Sequence, residues 1–85
     1  MENLFNEKNI IPPDFIISMP IGANILTAQL QSDNVVIWAE IDDSVGLELR
    51  YFEVFMNGQP IPRGDRIYLG TIQNGYIVLH IYEKH

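Results

Sequence analysis

The sequence predicts a single small all-β domain, an antiparallel meander of about six strands folded as a sandwich or a partly open barrel. Two observations carry this. Apolar and polar residues alternate at period two along most of the chain, the repeat of a half-buried strand rather than of an amphipathic helix. Turn-forming residues break that alternation at short intervals, as they do where neighbouring strands are joined by tight connections. No helix is required beyond a turn or two near the N-terminus, and no internal repeat is present.

Residues 1–13 are expected to be a loosely structured leading segment, because Pro12 and Pro13 cannot donate to a sheet ladder. The β domain then spans 14–85. "DFIISMP" reads as a first strand ending at Pro20, and "ANILTAQLQ" as a second with Leu26, Ala28 and Leu30 on one side. "SDN" supplies a turn, since Asp33 and Asn34 tolerate the left-handed backbone of a tight hairpin. In the returning strand "VVIWAEID", Val35, Ile37, Ala39 and Ile41 form the expected core face.

After "DDSVG" comes the long strand "LELRYFEVFM", with Leu47, Leu49, Tyr51 and Phe55 on one face and Glu48, Arg50, Phe52, Val54 and Met56 on the other. A strand apolar on both faces needs cover on both. Trp38, Phe52, Val54 and Met56 are therefore the expected subunit interface, with tryptophan enriched at such contacts. The segment "NGQPIPRGDR" is a long loop, the usual place for binding residues. "IYLGTIQ" and "YIVLHIYE" close the chain as a hairpin, for which Asn74-Gly75 suggests a type I′ turn.

Composition excludes several classes of function. A net charge of −6 disfavours nucleic acid and anionic membranes, whose binding relies on clustered Lys and Arg. The apolar runs are too interrupted to span a bilayer as a helix. Without cysteine there is neither a disulfide framework nor thiolate metal ligation, which fits a reducing cytoplasm. The opening "MENLFNEKNI" does not read as a signal peptide. Glu40, Asp42, Asp43, Glu48 and Glu53 lie close enough in sequence to form an acidic face imitating DNA, or an ordinary solvated edge.

In order and spacing, "IISMPIGANILTAQLQSDNVVIWAEID", "RYFEVFMNGQPIP", "YLGTIQ" and "YIVLHIYE" resemble a family of small, mostly bacteriophage-encoded domains of unassigned function. The resemblance covers roughly residues 16–83. It departs at Met56-Asn57-Gly58, where the family is rich in Gly-Thr-Gly, and at Leu79, where Trp often precedes the histidine. It implies a viral protein acting in the host cytoplasm, and it brings no catalytic residue to transfer.

His80 shares a strand face with Tyr76, Val78 and Tyr82, so it suits a hydrogen bond to a neighbouring strand or stacking on a planar ligand. As a metal ligand it lacks companions, and as a base it lacks an evident nucleophile. Arg50, Arg63 and Arg66, with Tyr68, His80 and Tyr82, form the candidate ligand site. Guanidinium forks beside tyrosines suit a phosphate-bearing nucleotide, although Arg63 can instead pair with Asp65 and Arg66 with a neighbouring acid. The expectation is a non-enzymatic accessory protein, without cofactor or metal, that sequesters a small nucleotide immune signal at the interface of a homo-oligomer. The alternative is a protein–protein inhibitor of a host defence factor, or a virion-associated interaction domain.

Overall fold

The computed structural model describes residues 2–5, 13–32 and 34–85. They form seven strands: β1 (Glu2–Phe5), β2 (Asp14–Pro20), β3 (Asn24–Gln31), β4 (Asn34–Glu40), β5 (Leu47–Met56), β6 (Arg66–Asn74) and β7 (Ile77–Lys84). All pairings are antiparallel, in a three-stranded sheet ordered β1-β4-β3 and a four-stranded sheet ordered β2-β5-β7-β6. The domain is thus an all-β sandwich, with no helix among the described residues. The additional strand is β1. It pairs with β4 from within the leading segment expected to be loose, while 6–12 lie outside the described residues.

The path is not a simple meander. The chain crosses between sheets after β1, after β2 and again after β4, and β7 rather than β6 lies beside β5. The residues account for this last placement. Leu79 and Ile81 of β7 are buried inward, and half-buried Val78, His80 and Tyr82 occupy its other face, so β7 suits a position flanked on both sides. Glycine-interrupted β6, with Ile67 and Tyr68 exposed, takes the edge.

Between the sheets lie Phe15, Ile17 and Met19 of β2, Val35 and Ile37 of β4, Phe52 and Val54 of β5, and Leu79 and Ile81 of β7. The rings of Phe15 and Phe52, opposite each other in the register, stack 5.1 Å apart. Phe52 and Val54, expected at a subunit interface, are therefore interior side chains, Phe52 being 0% exposed. On a strand with two apolar faces, period two cannot tell which face turns inward; pairing with β2 decides it. Ile41, expected in the core, lies beyond the end of β4 and is exposed.

Two bulges shape the meeting of the sheets. In β3 the register steps between Ile25 and Thr27, making Leu26 the extra residue and turning it outward, so that Ile25 packs on the core in its place. In β6 it steps between Tyr68 and Gly70. The altered strands meet where Thr27 Oγ1 donates to the Leu69 carbonyl at 3.3 Å. At Gly70 a Cβ would stand 2.9 Å from the Ala28 carbonyl oxygen, so the close passage requires glycine. The ladders do not join here, and no closed barrel forms.

The final hairpin turns one residue later than expected. Asn74 pairs with Ile77, leaving Gly75-Tyr76 as the connection with positive φ at Gly75 alone, the type II′ pattern. Tyr76 thereby leaves the strand face for the fully exposed tip. In the β3–β4 turn it is Ser32 that adopts positive φ; Asp33 lies outside the described residues, and Asn34 begins β4.

Candidate functional site

Strand register defines the outer face of the four-stranded sheet. One row across it runs Asp14, Glu53, Tyr82, Tyr68, and another runs Phe55, His80, Thr71. Of the candidate ligand residues, Arg66, Tyr68, His80 and Tyr82 gather here, joined by Phe55, Thr71 and Asn57. Tyr68 and Thr71 are three apart and would face opposite ways in a regular strand. The bulge between them restores both to the outer face. Sequence periodicity therefore misses Thr71; Gly70 in the middle of the strand is its one visible signal.

The polar groups form a continuous chain. Tyr68 Oη and Thr71 Oγ1 are hydrogen-bonded, Thr71 Oγ1 lies 3.0 Å from His80 Nδ1, and His80 Nε2 lies 3.3 Å from Asn57 Oδ1. Because Asn57 Oδ1 only accepts, Nε2 of the neutral ring carries the proton. Nδ1 then accepts from the Thr71 hydroxyl, which accepts in turn from Tyr68. Both imidazole nitrogens are partnered. The connectivity is that of a nucleophile, a base and an orienting group, set among the described residues on an open sheet face.

Aromatic packing holds this region together. Tyr82 meets Tyr68 edge-on at 5.5 Å and Phe55 at 5.8 Å. Arg66 lies 5.5 Å above the Phe55 ring, so Phe55 is buried despite its outward direction. The Arg66 guanidinium is committed within the chain. Its Nε donates to Glu53 Oε1 at 2.7 Å, and its Nη1 donates to the carbonyls of Pro62 and Gly64, fastening the β5–β6 loop to the sheet.

Arg50 does not join the cluster. A meander would have set β5 beside β6, but β7 intervenes and Arg50 points to the inner side. There its Nε and Nη2 donate to the two carboxylate oxygens of buried Glu83, and Nη1 donates to the Ala23 carbonyl at 2.9 Å. The Glu83 hydrogen bonds raise the already high pKa of Arg50, against the opposing effect of its own burial. Arg63 is exposed in the loop and makes no ion pair among the described residues.

Of the remaining expected interface residues, Met56 is exposed and Trp38 is half-buried. The buried Nε1 of Trp38 has no hydrogen-bond partner among the described residues. The acidic run forms no single face. Glu40 accepts from Asn24 Nδ2, Asp42 from Ser44, Glu48 from the Gly22 amide and Glu53 from Arg66. A cleft of about 230 Å³ lies along Asp14, Ile16, Tyr51 and Lys84, and a second of about 380 Å³ along Glu48, Arg50, Glu83 and His85. Neither is lined by Tyr68, His80 or Tyr82.

Residues 8–85 match the family model described as a domain of unknown function, DUF7352. The chain belongs to that family. No curated protein and no solved structure matches it. The matched span of the DUF7352 domain contains both "YLGTIQ" and "YIVLHIYE", the segments that β6 and β7 set side by side to build the outer-face cluster.

Proposed function

We propose that this DUF7352 chain is an accessory protein-binding module whose contact surface is the β6–β7 end of the outer sheet face. The observation that carries the reading is Tyr68. It is 54% exposed, its hydroxyl is held by Thr71, and its ring is braced against Tyr82. A rigid tyrosine with little rotamer freedom left to lose is the kind of anchor that protein interfaces use. The surrounding guanidinium is already neutralised by Glu53, which removes the main support for phosphate capture. The net charge of −6 favours a partner surface rich in Lys and Arg, through steering and complementarity.

The resemblance to phage-encoded domains supports a host cytoplasm as the setting and a host defence factor as the partner, the inhibitor alternative of the sequence reading. Sequestration of a nucleotide signal is the weaker reading, since Arg63 alone of the three arginines has no acidic partner among the described residues.

Two measurements separate these readings. Immobilised protein should retain a basic partner from host extract, and Tyr68→Ala should weaken retention about 30-fold, the equivalent of losing about 2 kcal/mol at an interface anchor. Nucleotides and cyclic nucleotides should leave the melting temperature unchanged. A nucleotide-dependent rise that Arg63→Ala abolishes would replace protein binding with sequestration.

A further inference from the structure

Away from the Tyr68 cluster, the same outer face carries a second surface. The register places Ile16 opposite Tyr51, Ser18 opposite Leu49 and Pro20 opposite Leu47. Directly opposed residues of an antiparallel pair share a face, so these six side chains form one continuous patch. Ile16, Leu47, Leu49 and Tyr51 are exposed, Leu47 to 68% and Leu49 to 56%. Ile21 extends the patch around the corner, where its amide donates to the Gly46 carbonyl at 2.9 Å. Five large apolar side chains in this state present on the order of 500 Å², within the range of the largest patch on a typical monomer.

We infer that this patch is a self-association surface, occupied by the same patch of a second copy. Two observations favour that occupant. The first is charge. In a molecule of net charge −6, these six paired positions are Ile, Ser, Pro, Leu, Leu and Tyr, without a single ionised group. The six positions offer a basic partner no charge of their own. The ionised groups nearest them on this face, Asp14, Glu53 and Lys84, border only the end at Ile16 and Tyr51, so two acidic copies can meet over Leu49 and Leu47 on apolar side chains.

The second is symmetry. Tyr51 and Leu47 stand equally far from Leu49 along β5, about 7 Å on either side. A two-fold axis through Leu49, running across the strands, lays Leu49 on its own copy and Tyr51 on the partner's Leu47, and the reverse. That is the self-matching contact a closed dimer needs. The apolar area is close to the roughly 600 Å² per partner at the lower end of specific interfaces, which makes the dimer one in measurable exchange with monomer. The Tyr68 cluster stays outside the contact and open to a partner.

Sedimentation equilibrium of the full chain over a hundredfold concentration range tests the inference. The wild type should move from one chain mass towards two. Leu49→Glu, which places a carboxylate on the axis against its own copy, should remain monomeric throughout. Leu49→Lys should behave alike, and an equimolar mixture of the two variants should recover the dimer. Because Leu49 is exposed in the fold, both variants should keep the far-ultraviolet circular dichroism and melting cooperativity of the monomer. A wild type that is monomeric at every concentration, or a Leu49→Glu variant that dimerises as the wild type does, overturns the inference.

Discussion

Glu83 is the only charged residue buried among the described ones, and its two oxygens engage Arg50 from the far end of the core. Glu83→Ala leaves Arg50 with Glu48 at 3.5 Å as its remaining acid and should cost about 3 kcal/mol, readable in urea unfolding. The pair gives no handle on pH through Arg50. A raised pKa means that its contribution is complete below arginine's ordinary value and is lost as pH rises from there through the folded one, far beyond neutrality. Asp42 has the opposite sign. Hydrogen bonds from the Ser44 hydroxyl and amide hold its carboxyl below the usual carboxylate range, so whatever the turn gains is present above that range and lost as pH falls through the lowered value. Ser44→Ala should move the Asp42 titration, followed by carboxyl carbon NMR, back up towards an ordinary aspartate. At the surface cluster, Thr71→Val removes the hydroxyl between Tyr68 and His80. Water can reach both freed groups, so stability should fall by less than about 1 kcal/mol while partner retention falls further.

At the scale of the strand, the bulges decide which side chains meet. Without the step between Tyr68 and Gly70, Thr71 would face the core and His80 would lack its Nδ1 partner. Gly70→Ala brings a methyl group to 2.9 Å from the Ala28 carbonyl oxygen. Backbone cannot yield there as a flexible side chain would. The variant should lose about 1–3 kcal/mol and perturb the Thr71 and His80 resonances, whereas alanine at Gly46, whose Cβ would meet only the Ile21 side chain at 3.7 Å, should not perturb them. This is also where sequence reading stops short. The pattern in "DFIISMP" marks a strand, and the structure turns Phe15, Ile17 and Met19 inward while Asp14, Ile16 and Ser18 stay exposed. In "LELRYFEVFM" both sides are apolar, so assigning Phe52 and Val54 to an interface was as consistent with the pattern as the core they occupy. A one-residue insertion is invisible to a period-two pattern altogether, which hid both the outward turn of Leu26 and the alignment of Tyr68 with Thr71.

For the whole molecule, the all-β class was legible because nearly every strand keeps its alternation and every turn its punctuation. The strand order was not, since the place of β7 between β5 and β6 depends on long-range packing that local pattern does not encode. That placement, together with the turn of Arg50 to the inner side, keeps Arg50 apart from the Arg66 cluster. The face proposed to make the contacts is the outside of the β2-β5-β7-β6 sheet, polar and aromatic at the β6–β7 end and apolar along Ile16, Leu47, Leu49 and Tyr51. The measurement that tests this most directly is retention of a partner from host extract by three immobilised forms: wild type, Tyr68→Ala, and Gln29→Ala on the exposed surface of the other sheet. The account predicts that Gln29→Ala retains the partner as the wild type does and that Tyr68→Ala loses it about 30-fold. Equal retention by Tyr68→Ala, or loss through Gln29→Ala, would place the contact elsewhere and contradict the account.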